Sequence, residues 1–183
     1  MNSSVNHNFV IRQETSNDVA EVNELVKEAF LAVAYSDHTE HDLVDRLRKS
    51  SHFIPELSLV AVFKEKIKGY ILLTLAGIKM DDSVHPTLAL APVAVHPDHQ
   101  KSGIGAGLIE YAHHKAIELG YESIVLIGHQ DYYPKFGYQL AKKFGIVFPF
   151  DVPEPNSFVL ELKEGGLKGI TGQVVYAKEF LEC

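Results

Sequence analysis

Apolar and polar residues alternate from Phe9 to Glu14 (FVIRQE), a period of two that predicts a strand. The period then lengthens. Val19, Val22, Leu25, Val26, Ala29 and Phe30 fall on one side of a 3.6-residue turn, so a helix follows. Ser16 or Asn17 suits its cap, and Asp18 its first turn. Leu43, Val44 and Leu47 mark a second helix over 39–49. The run LSLVAVFKEKIKGYILLTLAGIKM (57–80) reads as two antiparallel strands joined by a tight turn near Lys64–Lys66. TLALAPVAVHP (87–97) is another strand. Pro92 inside it has no N–H to give a neighbour, which predicts a bulge or a locally free edge.

Helical spacing returns from Gly103 to Leu119, with Ile104, Leu108, Ile109, Ala112, Ala116 and Leu119 on one face and Gly120 beyond the end. SIVLIG (123–128) is a short buried strand, and DYYPKFGY (131–138) a compact turn or short helix closed by Gly137. SFVLEL (157–162) and GQVVYAK (172–178) add two strands. The expected fold is α/β: a mixed, mostly antiparallel central sheet flanked by helices. No repeat or Pro/Gly/Ser linker divides the 183 residues, so one domain is expected over 1–183.

Apolar residues make up 46% of the chain and charged residues 22%, enough for a real core. The net charge of −7 argues against nucleic acid and anionic membranes as partners. The most apolar run, YILLTLAGIKM, is too short to span a bilayer, and MNSSVNHNFVIRQ lacks the basic and apolar regions of a secretory leader. The one cysteine, Cys183, excludes an internal disulfide and any cysteine zinc cluster. A cytoplasmic protein is expected. HTEH (38–41) and HPDH (96–99) read as polar surface segments, and no metal is expected.

The chemistry concentrates in HQKSGIGAGLI (99–109). Gly103 and Gly105 stand where a helix opens after a strand. The first N–H groups of a helix lack partners and, with the helix dipole, attract an anion. Glycine lets a large anion approach the backbone. Tight helix–strand packing would also explain both glycines. The third position of a dinucleotide fingerprint is Leu108 instead of glycine or alanine, and no Walker loop occurs.

VAVHPDHQKSGIGAGLI resembles the acyl-CoA motif of the GCN5-related N-acetyltransferases (GNAT): an apolar strand, Val-x-Pro, then Gln-x-x-Gly-x-Gly opening a helix. LIGHQDYYPKFGY resembles the family's next motif, ending Tyr-x-x-x-Gly-Tyr. The likeness covers about 9–150, and 151–183 is less typical. It implies a single-domain enzyme that moves acetyl from acetyl-CoA directly to a primary amine of a small molecule or peptide. It implies the diphosphate on Gln100, Lys101, Ser102, Gly103, Ile104, Gly105 and Ala106, and the pantetheine arm along Val93, Ala94 and Val95. A main-chain N–H near Val95 would polarise the thioester carbonyl. Tyr133, four residues before Gly137, takes the place of the proton donor to sulfur, with Tyr132 its nearest rival. Some relatives carry a glutamate base on the strand of TLALAPVAV; this strand has no acid. His129 is the candidate base, with His85, Glu40, Asp37 or a water chain as alternatives. By the same likeness, Ala32–Phe53 and the loop after Met80 wall the acceptor. Cys183, terminal and distant from the motif, does not suit an acyl carrier. A non-catalytic acyl-CoA-binding regulatory module is the alternative reading, and a homodimer is left open.

Overall fold

The computed structural model describes residues 9–34 and 36–182; the start of the N-terminal segment and Cys183, both read above, lie outside them. The described strands form one nine-stranded sheet: β1 (Val10–Gln13), β2 (Phe53–Phe63), β3 (Lys66–Met80), β4 (Ser83–Val95), β5 (Ser123–Ile127), β6 (Gln139–Leu140), β7 (Ile146–Val147), β8 (Ser157–Glu161) and β9 (Gly172–Val175). The order is β1-β2-β3-β4-β5-β8-β6, with β9 on β3 and β7 on β9. Only β4–β5 and β7–β9 are parallel.

Alternation along β2 and β3 sends successive side chains to opposite faces. Leu59, Ala61, Ile71 and Leu73 meet helix α3 (Ile104–Glu118) through Ile104, Leu108, Ile109, Ala112 and Ala116. Of the residues expected on that face, Leu119 alone is exposed. Val60, Tyr70 and Leu72 meet α1 (Val19–Phe30) and α2 (Glu40–Arg48) through Val22, Val26, Val44 and Leu47. Gly69 brings α3 close: a Cβ there would stand 2.5 Å from Ile104 Cγ2 and 2.8 Å from Leu108 Cδ1. Arg48 ties α2 to the end of β1, pairing with Glu14 at 2.6 Å and Asp45 at 2.7 Å. Ser58 then links Glu14 to the buried Tyr70 hydroxyl.

The expected turns are in place, while several strand starts differ from expectation. The β2–β3 turn is made by Lys64 and Glu65, both with left-handed backbone. β2 starts at Phe53, because Leu75 N–H donates to His52 and Thr74 pairs with Phe53. β4 starts at Ser83, carrying Pro86 opposite Gly77, a position with no Cβ to crowd it. Asp18 precedes α1, and its carboxylate binds Arg12 and Thr15 instead of capping the helix. The 131–138 segment is a single 3-10 turn, Tyr133–Phe136, ended by Gly137 at φ 91°. Between it and β8 lie β6 and β7, each two residues long and too short to leave a sequence pattern.

Tyr138, just past that turn, is buried against α3, and its hydroxyl pairs with His113 Nε2 at 3.0 Å. Burial, and then His114, holds His113 down to about 4 from 6.5. The folded state therefore prefers neutral His113. That preference contributes fully above the unfolded value and is lost as pH falls from 6.5 through about 4. Replacing His113 with Gln should flatten the acid side of the stability profile. Urea unfolding at pH 7, 5.5 and 4 should show the unaltered protein losing roughly 3 kcal/mol more than the variant across that range.

Candidate active site

The site begins where β4 and β5 part. They pair only at Leu88–Ile124 and Ala89–Val125. Just before this, the buried Thr87 and Ser123 hydroxyls bond at 2.7 Å and close that end. Beyond Ala89, β4 keeps its pairing with β3 through Val95 but has no strand on its other edge among the described residues. Two features of the chain produce the split. β4 carries an extra residue between Leu90 and Val93, opposite Leu73 and Ile71, at Ala91–Pro92, where the peptide bond is cis. β5 is meanwhile held along its whole length by β8, and Asn156 fixes Gly128 through both its main chain and its side chain. The expected bulge at Pro92 is thus present, and Val93, Ala94 and Val95 have one main-chain edge free of strand partners.

Just past β4, residues 97–99 form a 3-10 turn, and the chain re-enters helix at Ile104. Lys101 and Gly103 take left-handed backbone, at φ 60° and 90°. Ser102 Oγ donates to the His99 carbonyl, and Gln100 Nε2 donates to Val95 O at 3.4 Å, so the turn is folded onto the end of β4. Among the described residues Gly103 gives α3 no side-chain cap, and its first turn holds no acid. The opening N–H groups of α3 are therefore available to an anion, as the sequence suggested. Gly105 also serves packing: a Cβ there would lie 3.0 Å from Tyr132 Oη and 3.4 Å from Val95 Cγ2. The packing reading therefore holds for Gly105.

Across the split stands the tyrosine turn. His129 O accepts the Tyr132 N–H at 3.1 Å, which starts the turn directly after β5. Tyr133 packs where Gly128 lacks a side chain; a Cβ there would fall 2.1 Å from its ring. Tyr138 and Tyr132 meet the Tyr133 ring edge to face, with centroids at 5.7 Å and 5.2 Å. The ring is therefore held firmly. Burial, and then the neighbouring Tyr132, pushes the Tyr133 phenol well above its usual range. A phenol so placed keeps its proton at neutral pH. Tyr132, half-buried, is also raised by burial.

The candidate bases separate. His129 is exposed at the end of β5, beside the mouth of the split. His85 pairs with Ile78 near the other end of β4, ~30 Å of strand from Val95, and so does not reach the same place. Asp37 is occupied by Thr39, whose hydroxyl and N–H hold its carboxyl below the usual range. Glu40 opens α2; one oxygen accepts from Ser36 and the other is buried without a partner among the described residues. The histidine pairs serve structure: His96 lies 3.4 Å from Glu28 of α1, and His38 meets the Phe30 carbonyl at 3.0 Å. No group of three or more metal-ligating side chains occurs among the described residues, and no described helix is long and apolar enough to cross a membrane. Sequence reasoning missed Gly128, Asn156 and the His113–Tyr138 pair. A glycine ending a buried strand was a usable signal, but the partners of Asn156 and His113 are set only by the fold.

Comparison with known proteins agrees with this geometry. Residues 19–138 match the model of the acetyltransferase (GNAT) family. YjhQ of Escherichia coli K12, an uncharacterized N-acetyltransferase, is 32% identical over 151 residues, covering 82% of this chain and 81% of the relative. A GNAT family acetyltransferase from Brucella melitensis, solved in complex with acetyl-CoA, is 29% identical with a TM-score of 0.78, covering 95% of this chain and 99% of that one. YhbS of Escherichia coli, solved with CoA, shares the fold at a TM-score of 0.86 and 24% identity, covering 96% and 93%. A free strand edge, an uncapped glycine turn and a tyrosine across the gap thus sit inside a matching family domain, and the chain belongs to the acetyltransferase (GNAT) family.

Proposed function

We propose that the chain transfers acetyl from acetyl-CoA to the neutral amine of a small molecule or peptide. The observation that carries this reading is the one-sided pairing of β4 past Ala89, directly before an uncapped helix start. The residues present fit the donor: the edge of Val93, Ala94 and Val95 suits an extended amide-bearing arm, and 100–106 suits a diphosphate. Acetyl-CoA supplies an activated thioester. A main-chain N–H near Val95 is placed to bind the carbonyl oxygen as negative charge develops on it. Tyr133 Oη holds a proton for the departing sulfur, and its raised affinity keeps that proton in place until then. His129 takes the proton from the amine at the mouth, where the acceptor enters from water.

Tyr133→Phe should lower kcat about 100-fold, measured as CoA release across a panel of amines, amino acids and peptides. CoA affinity should stay within about twofold, because the ring packing is kept. An unchanged kcat would remove Tyr133 from the role. Gly103→Ala places a Cβ at φ 90° and should weaken CoA binding roughly tenfold by calorimetry.

A further inference from the structure

The turn at 100–106 offers the diphosphate one wall, and the chain as a whole is acidic, at −7. A dianion approaching such a protein gains from a cation on the opposite wall. The residues from Gly128 to Tyr138 contain one lysine or arginine, Lys135. Its ammonium lies 3.9 Å from the centroid of the Tyr132 ring and 4.9 Å from that of Phe136. It forms no ion pair with a carboxylate among the described residues. The Tyr132 ring that carries it ends in the hydroxyl lying 3.0 Å from where a Gly105 Cβ would stand. Tyr132 thus crosses the split and touches the first turn of α3, with a stacked ammonium on its face.

We propose that Lys135, positioned by Tyr132, is a second contact for the diphosphate and reaches it from the β5 side of the split. This rests on reading the split as an acyl-CoA site. The cofactor would then be held from both lips: by backbone dipoles on α3 and by one mobile point charge opposite them. The stacking energy is small and the ammonium is exposed, so its transfer from the ring to a phosphate oxygen costs little. Asp131, exposed at the start of the same turn, moderates the field there.

Calorimetry with CoA and with 3′-dephospho-CoA at low salt tests this without a known acceptor. Lys135→Gln should bind both ligands about fivefold more weakly than the unaltered protein, and Lys135→Arg should restore most of the loss. The weakening should shrink as salt is added. Lys135 is exposed, so the melting temperature should not move, and a melt run in parallel checks it. Equal binding by Lys135→Gln and the unaltered protein overturns the inference while leaving the acyl-CoA reading intact. A loss seen with CoA and absent with 3′-dephospho-CoA also overturns it, by moving the contact to the 3′-phosphate. If the unaltered protein binds neither ligand, the acyl-CoA reading falls and this inference falls with it.

Discussion

A β-strand has two hydrogen-bonding edges, and β4 uses one of them along nearly its whole length and the other only at Leu88 and Ala89. β3 pairs with it from Ser83 to Val95, whereas β5 stays only through Ala89. A main-chain edge left open inside a sheet is costly unless water or a ligand meets its groups. The chain arranges this asymmetry deliberately, with an extra residue at Ala91–Pro92 on one side and a full β8 ladder drawing β5 away on the other. The turn at 100–106, the tyrosine turn and the mouth with His129 all take their places from that parting of two strands.

Charge is handled locally. A chain at −7 repels anions at long range, yet the start of α3 offers uncapped amides and no acid. Backbone dipoles act over the first turn of a helix and need no net positive charge. Burial plays a comparable part across the split. The packing that immobilises the Tyr133 ring against Gly128 and Tyr138 also removes water, and so makes the phenol hold its proton. Orientation and protonation state come from one cause. His113 extends the same logic into α3, where burial keeps it neutral and able to pair with Tyr138.

Much of this was legible in the chain because the signals were periodic or conformational. The 3.6-residue spacing of Ile104, Leu108, Ala112 and Ala116 marked α3, and Pro92 marked the bulge before any partner strand was known. Gly103 was read as a glycine for its missing Cβ, and its left-handed φ of 90° is a further reason for glycine that appears only in the fold. Regions governed by long-range pairing were not legible. The start of β2 depends on Thr74, twenty-one residues ahead, and β7 exists only because β9 lies beside it. Within the site, the sequence placed Tyr133 and the turn, but not the contact of Tyr132 with Gly105, since two segments twenty-seven residues apart meet there only after folding. His85 shows the converse: as a residue type it suited the chemistry, and the strand carried it to the far end.

For the proposed activity, coenzyme A must be received by the main chain of the split and not merely by some face of the protein. Amide hydrogen exchange followed residue by residue, with and without CoA, reads this directly. Slowed exchange confined to the amides around 93–95 and 103–106 is the predicted result. Unchanged exchange there, with protection appearing on another surface or nowhere, would contradict it.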